Sequence, residues 1–242
     1  MNIEHFLLLD IETVSQQPEF GRLNEHWQQL WTEKASRYPF AEHLPPEASY
    51  AERAGIWAEF GKIICISTGH FYWDKHKQLC LQINTIYGHE EKKLLEAFVD
   101  YAAQFNRRKK VFEFAGHNIK EFDIPYICRR MMVHALKLPS FLQLNGHKPW
   151  ETPIFDTLNW WKFGDYKNYT SLKLLSAVLG LPNAKEGMDG SLVKEVYYKE
   201  QNLSKIAAYC AGDVEAVARV MLKLRNEAPV QPAKVYTEYK TI

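Results

Sequence analysis

IEHFLLLDIET, residues 3–13, is the stretch on which the reading of the whole chain turns. The largely apolar run from Ile3 to Leu9 predicts a buried strand that stops at Asp10. On a strand, residues two apart share a face, so Asp10 and Glu12 project together while Ile11 points the other way. Carboxylates held side by side at the edge of a core repel each other, and burying them ionised is costly. A divalent cation relieves both problems, and hard oxygen donors select Mg²⁺ or Mn²⁺. An Asp-x-Glu pair alone fits equally well with two exposed acids at a strand end, so the rest of the chain has to decide.

Working outward, KIICIST (residues 62–68) predicts a second strand and Leu79 to Tyr87 a third, with HFYWDKHKQ (residues 70–78) as a hairpin connection. Leu94, Leu95, Phe98 and Ala102 mark an amphipathic helix over 90–105. Residues 111–115 predict a fourth strand, followed by a Gly116-His117-Asn118 turn. A helix carrying Ile124, Ile127, Met131 and Ala135 comes next. Ser171 starts a helix that Gly180 and Pro182 close, and Leu203 to Arg225 is a last long helix burying Ile206, Cys210, Val214, Val217 and Met221. Strands first, helices later and one helix between strands indicate an α/β domain with a mixed sheet flanked by helices. Residues 14–59, with Leu23, Trp27, Leu30 and Trp31 at helical spacing, read as a helical insertion after the first strand, without a core of its own. The expected organisation is a single domain over 1–228, with a weakly ordered tail over 229–242.

Composition sets few limits. The 242 residues are 46% hydrophobic and 24% charged, enough for a sizeable core without disulfides or structural metals. A net charge of +1 gives no sign of a generally basic nucleic-acid binder, although an acidic site and a basic rim could cancel in that sum. Cys65, Cys80, Cys128 and Cys210 are scattered and form no CxxC pair, which fits reduced thiols in a cytoplasmic protein. The N-terminal apolar stretch is too short for a signal peptide. No apolar run approaches the roughly 20 residues that a membrane span needs.

Two further acids change the weight of Asp10 and Glu12. Asp123 lies in GHNIKEFDIPYICRR (residues 116–130), between apolar neighbours and at the start of a helix after a strand. Asp213 lies in AAYCAGDVEAV (residues 207–217), on the last helix, with Tyr209 four residues earlier on the same face. Singly, the first reads as a helix-start acid and the second as half of a surface Tyr–Asp contact.

Taken in order, LLLDIET, GHNIKEFDIPYI and YCAGDVEAV resemble the three exonuclease motifs of the DEDD superfamily. They look most like those of the proofreading exonuclease domain of B-family DNA polymerases. YTSLKLLSAVLGLP (residues 169–182) resembles the helix before the third motif in those domains. The resemblance implies a ribonuclease-H-like fold and a metal-dependent 3′–5′ exonuclease, in which Asp10, Glu12, Asp123 and Asp213 hold two Mg²⁺ or Mn²⁺ ions. It implies Asp10 as the shared ligand, Glu12 and Asp213 on the ion that activates water, and Asp123 on the other. Tyr209 would aim the water and marks the tyrosine subclass; the histidine subclass would need His where Ala208 stands. Asn118 and Phe122 become candidates for contact with the terminal nucleotide, Asn118 fitting a plain turn residue equally well.

The expected substrate is the 3′ end of single-stranded DNA, with a ribonuclease-D-like RNA-trimming activity as the alternative. Less favoured are a non-catalytic nucleic-acid-binding module on the same fold and an adaptor docking through the tryptophan-rich insertion. No length remains after the third motif for polymerase palm or fingers, so the domain is expected to stand alone. Trp27, Trp31, Trp160 and Trp161 are candidates for base stacking or for packing. Arg129, Arg130 and the 162–173 loop are candidates for phosphate contacts, whereas Arg107 to Lys110 reads as a solvated loop.

Overall fold

The computed structural model describes residues 2–39, 43–146, 148, 151–165, 167–182 and 188–242. Its first strand outruns the apolar segment that predicts it. Strand β1 spans Phe6–Ser15, so Asp10 and Glu12 sit mid-strand, and Ile3–His5 forms a short 3-10 turn before it. Thr13 and Val14, both β-branched, carry the strand past the acids. Leu7, Leu9 and Ile11 enter one apolar cluster, while Phe6 and Leu8 enter another on the opposite face. Asp10 and Glu12 continue the Phe6–Leu8 face, as a period of two requires.

Helices α1 (Glu25–Ala35) and α2 (Pro46–Arg53) make up the insertion. Contrary to expectation, it has a small core of Trp31, Ala35, Tyr50, Ala54 and Phe60. The Trp31 ring centroid lies 5.0 Å from those of both Tyr50 and Phe60. A few large rings supply the buried area that aliphatic residues do not provide here. Trp31 is fully buried, and its indole N–H donates to Ser49 Oγ at 3.1 Å, so it offers no surface to a base. Trp27 stays part-exposed, edge-on to Phe60.

Strand β2 (Gly61–Trp73) runs antiparallel to β1, and β3 (Leu79–Tyr87) antiparallel to β2. Helix α3 (Glu91–Lys109) leads to β4 (Glu113–Gly116), which lies parallel to β1 on its other side. Helix α4 (Asp123–Val133) and a short β5 (Ile154–Asp156), parallel to β4, follow. Helices α5 (Thr157–Lys162), α6 (Leu172–Val178), α7 (Val193–Glu195, running into a π-helical stretch to Glu200) and α8 (Leu203–Leu224) complete the helical layers. The segment expected as a weakly ordered tail holds β6 (Val235–Thr241), which pairs parallel with β3. The sheet order is β5-β4-β1-β2-β3-β6, a mixed sheet with helices on both faces and a helical insertion after its first strand, as in ribonuclease-H-like proteins. Helices α3 and α4 cover the Leu7–Ile11 face, and α8 lies across the other. Among the described residues, no helix is long and apolar enough to cross a membrane.

Two details bear on the site. Where β1 pairs with β2, Glu12 opposes Cys65 but Thr13 opposes Ile63, so Ile64 is an extra residue in the ladder. Ile64 and Cys65 consequently turn into the same cluster, the signature of a β-bulge. The other detail is a buried ion pair. Arg130 donates to Glu91 at 2.6 and 2.8 Å and to the Ala58 carbonyl at 2.8 Å, while the Ile63 amide donates to Glu91 at 2.7 Å. This joins α4, α3, β2 and the end of the insertion. It also removes Arg130 from the phosphate-binding candidates, since the residue is 3% exposed and its guanidinium is committed to Glu91 and Ala58. Arg107 to Lys109 belong to the last turn of α3 rather than to a loop, where cations complement the helix dipole.

Candidate active site

Strand β4 pairs with β1 only through Leu8, which leaves the next inward-facing amide on that edge of β1 without a strand partner. The Ile11 N–H donates instead to Asp123 Oδ1 at 3.1 Å. The first residue of α4 is thereby fixed beside the strand that carries Asp10 and Glu12. Asp123 is 4% exposed, and its carboxyl is pushed up to about 7. Burial is the main cause, opposed by its own amide and that of Ile11 and reinforced by the negative fields of Asp156 and Asp213.

Helix α8 brings the remaining groups. The Cys210 thiol, fully buried, donates to Asp10 Oδ2 at 3.2 Å and lies 3.4 Å from the Asp10 carbonyl. One ligand atom each from Asp10, Glu12 and Cys210 lie within 4.8 Å of one another, a cluster able to hold a metal ion. Burial raises the Tyr209 phenol well above its ordinary range, and the fields of Asp213, Glu12 and Asp10 raise it further. Asp123 and Asp213 are outside that tight cluster, but Asp213, Glu12 and Asp10 act on Tyr209, Asp213 acts on Asp123, and Asp123 holds the Ile11 amide, so β1, α4 and α8 set the five side chains in one neighbourhood. Sequence reading gave Cys210 only a packing role. Its spacing marks the buried face of α8 but does not reveal which carboxylate that face meets.

Asp156 also escaped the sequence reading. It is 5% exposed and accepts four amides: Leu158 at 2.9 Å and Asn159 at 3.2 Å at the start of α5, and Asn118 and Lys120, each at 3.1 Å. One side chain thereby caps a helix and shapes the turn between β4 and α4. A signal was present, since IFDT (residues 154–157) repeats in short form the apolar run followed by an acid seen in LLLD. Asn118 in that turn has φ 61°, a left-handed conformation that Asn tolerates, and its carbonyl accepts from the Glu121 and Phe122 amides. Phe122 caps α4, its ring 5.4 Å from that of Tyr126. Trp160 packs edge-on against Phe155 at 4.7 Å and is 47% exposed. His117 ties the turn to the segment before α6. Its Nδ1 lies 2.9 Å from Thr157 Oγ1 and its Nε2 2.9 Å from the Thr170 carbonyl.

The raised carboxyl of Asp123 has a measurable consequence. A carboxylate whose folded value is raised stabilises the fold below its unfolded value of ~3.9, and that contribution is lost as pH rises. In chelator, Tm should therefore fall as pH climbs through the window up to about 7. Asp123→Asn should flatten that slope, as thermal melts across pH would show. An unchanged slope in the Asn variant would place the titration elsewhere.

Comparison with known proteins fits this geometry. Residues 56–229 match the model of a family described as "Predicted 3'-5' exonuclease related to the exonuclease domain of PolB". The match includes Asp123, Tyr209 and Asp213 and begins after β1. A solved family B DNA polymerase from the hyperthermophilic archaeon Pyrobaculum calidifontis is similar over 93% of this chain, with a TM-score of 0.52. At 12% identity the likeness is one of fold, and this chain covers 26% of the polymerase's length. No curated protein matches.

Proposed function

We propose, since this chain belongs to the family of predicted 3′–5′ exonucleases related to the exonuclease domain of PolB, that it removes nucleotides from the 3′ end of single-stranded DNA with the help of two divalent ions. The observation that carries this reading is the convergence of Asp10, Glu12, Asp123 and Asp213 with Tyr209. The donor set fits such ions. It is rich in hard oxygen donors, and burial, reinforced by the fields of Asp156 and Asp213, holds Asp123 toward the protonated form, which a bound cation would reverse.

Asp10 would be shared between the ions, Glu12 and Asp213 would complete one, and Asp123 would hold the other. When bound, Mg²⁺ or Mn²⁺ ions supply neutralisation of developing phosphate charge and a more acidic water. The protein's own groups do the rest. Burial and the fields of the acids favour the protonated Tyr209 phenol, which would serve as a hydrogen-bond partner that aims the water rather than as a base. Asn118 and Phe122, at the turn and cap leading into Asp123, border the place a terminal nucleotide would occupy.

Labelled single-stranded DNA and RNA, incubated with Mg²⁺, Mn²⁺, Ca²⁺ or EDTA, test the reading. A ladder shortening from the 3′ end is expected with Mg²⁺ or Mn²⁺, and none with EDTA. Ca²⁺ should support binding but little cleavage, because it is larger and its geometry looser. EDTA-resistant cleavage by a pure sample would sink the metal-dependent mechanism, and faster loss of RNA would move the substrate to RNA.

A further inference from the structure

We infer that Tyr169 is the platform on which the second base from the 3′ end stacks; this deepens the proposed exonuclease reading and rests on it. Tyr169 is 66% exposed, and its ring stands edge-to-face with His117, centroids 6.3 Å apart at 73°. His117 in turn grips the carbonyl of the adjacent Thr170 on one side and Thr157 on the other. A half-open aromatic ring is therefore carried on backbone pinned to the turn that precedes Asp123. Pinning matters because a side chain ordered in advance gives up less conformational freedom when a ligand arrives.

Its place relative to the acids follows from electrostatics. After partial burial, the fields of Asp123 and Asp156 hold the Tyr169 proton more tightly, so the ring lies at the border of the acidic site. With Phe122 next to Asp123, and Tyr169 against His117 at the start of the turn that leads to it, the ring falls one step farther along the strand. The neighbouring aromatics suit the task less well. Trp160 already packs on Phe155, and Phe163, 92% exposed at φ 44°, has little protein contact to hold it in place.

Stacking on one aromatic is sequence-tolerant and contributes on the order of 1–3 kcal/mol per base, so its loss should weaken binding roughly 5- to 150-fold. The test uses single-stranded DNA with 2-aminopurine as its second base from the 3′ end, bound in Ca²⁺. Quenching of 2-aminopurine is expected for the native protein, Tyr169→Phe and Tyr169→Trp. Tyr169→Ala and Tyr169→Leu should lose the quenching and bind more weakly, with unchanged melting curves showing that they remain folded. Under Mg²⁺ the loss should appear in KM with kcat nearly unchanged, as expected for an interaction equally strong in ground and transition states. Quenching and affinity retained in both the Ala and Leu variants would overturn the inference. So would equal losses in the Phe variant, which would assign the effect to the hydroxyl. Quenching is read without cleavage, so a failed nuclease reading would show separately, as a missing ladder with quenching intact.

Discussion

Asp10→Ala is expected to abolish exonuclease activity while leaving the protein folded, and in chelator at least as stable as the native chain. Activity should fall on the order of 10³-fold or more, because in the proposed mechanism Asp10 would serve both ions. The stability forecast rests on the surroundings of the residue. Asp10 stands beside Glu12, so removing its charge relieves repulsion between the two carboxylates. The Cys210 thiol would lose Asp10 Oδ2 as an acceptor but retain the Asp10 backbone carbonyl at 3.4 Å. Paired thermal melts in EDTA and single-turnover assays in Mg²⁺ check both halves. A variant that unfolds would make Asp10 a structural acid and end its assignment as a ligand.

Tyr209→Phe probes geometry rather than ligand count. It removes one hydroxyl and leaves the ring and all four acids in place. Cleavage under single turnover should drop very roughly 10- to 1000-fold, the range for a positioned group acting on the reacting water. Affinity for DNA in Ca²⁺ should barely move, because the lost bond matters mainly in the transition state. A Phe variant with a full rate, or one losing rate and affinity in equal measure, would reduce Tyr209 to a packing residue.

Much of the fold was legible in the sequence, because local patterns carried it. Leu79 to Tyr87 was read to the residue, since alternation and flanking turn residues agree there. The first strand was cut short, because an acid looks like the end of a buried strand when its partner groups lie elsewhere in the chain. Strand β6 was missed because VYTEYKT is polar, and its place comes from the β3 edge it meets. The acids of the site were findable because each follows or interrupts an apolar run. Arg130 misled for the opposite reason: an arginine reads as surface until its Glu91, 39 residues away in sequence, is seen to bury it.

The extra residue Ile64 marks where single-codon deletions divide in their consequences. A bulge sets the phase of a strand, and a shift of one residue exchanges its two faces. Loss of Ile64 would straighten the ladder and leave Gly61–Ile63 where it is against β1, with Ile63 still opposite Thr13 and still in the core beside Glu91. The half of β2 opposite Asp10 would keep its alignment with β1, from Cys65 facing Glu12 to Gly69 facing Leu8. Loss of a residue between Cys65 and Gly69 would instead put the acids' own neighbours out of phase. The hairpin thus has a seam one residue wide, and lineages of this protein should tolerate a change of length at the bulge while holding length constant on either side of it.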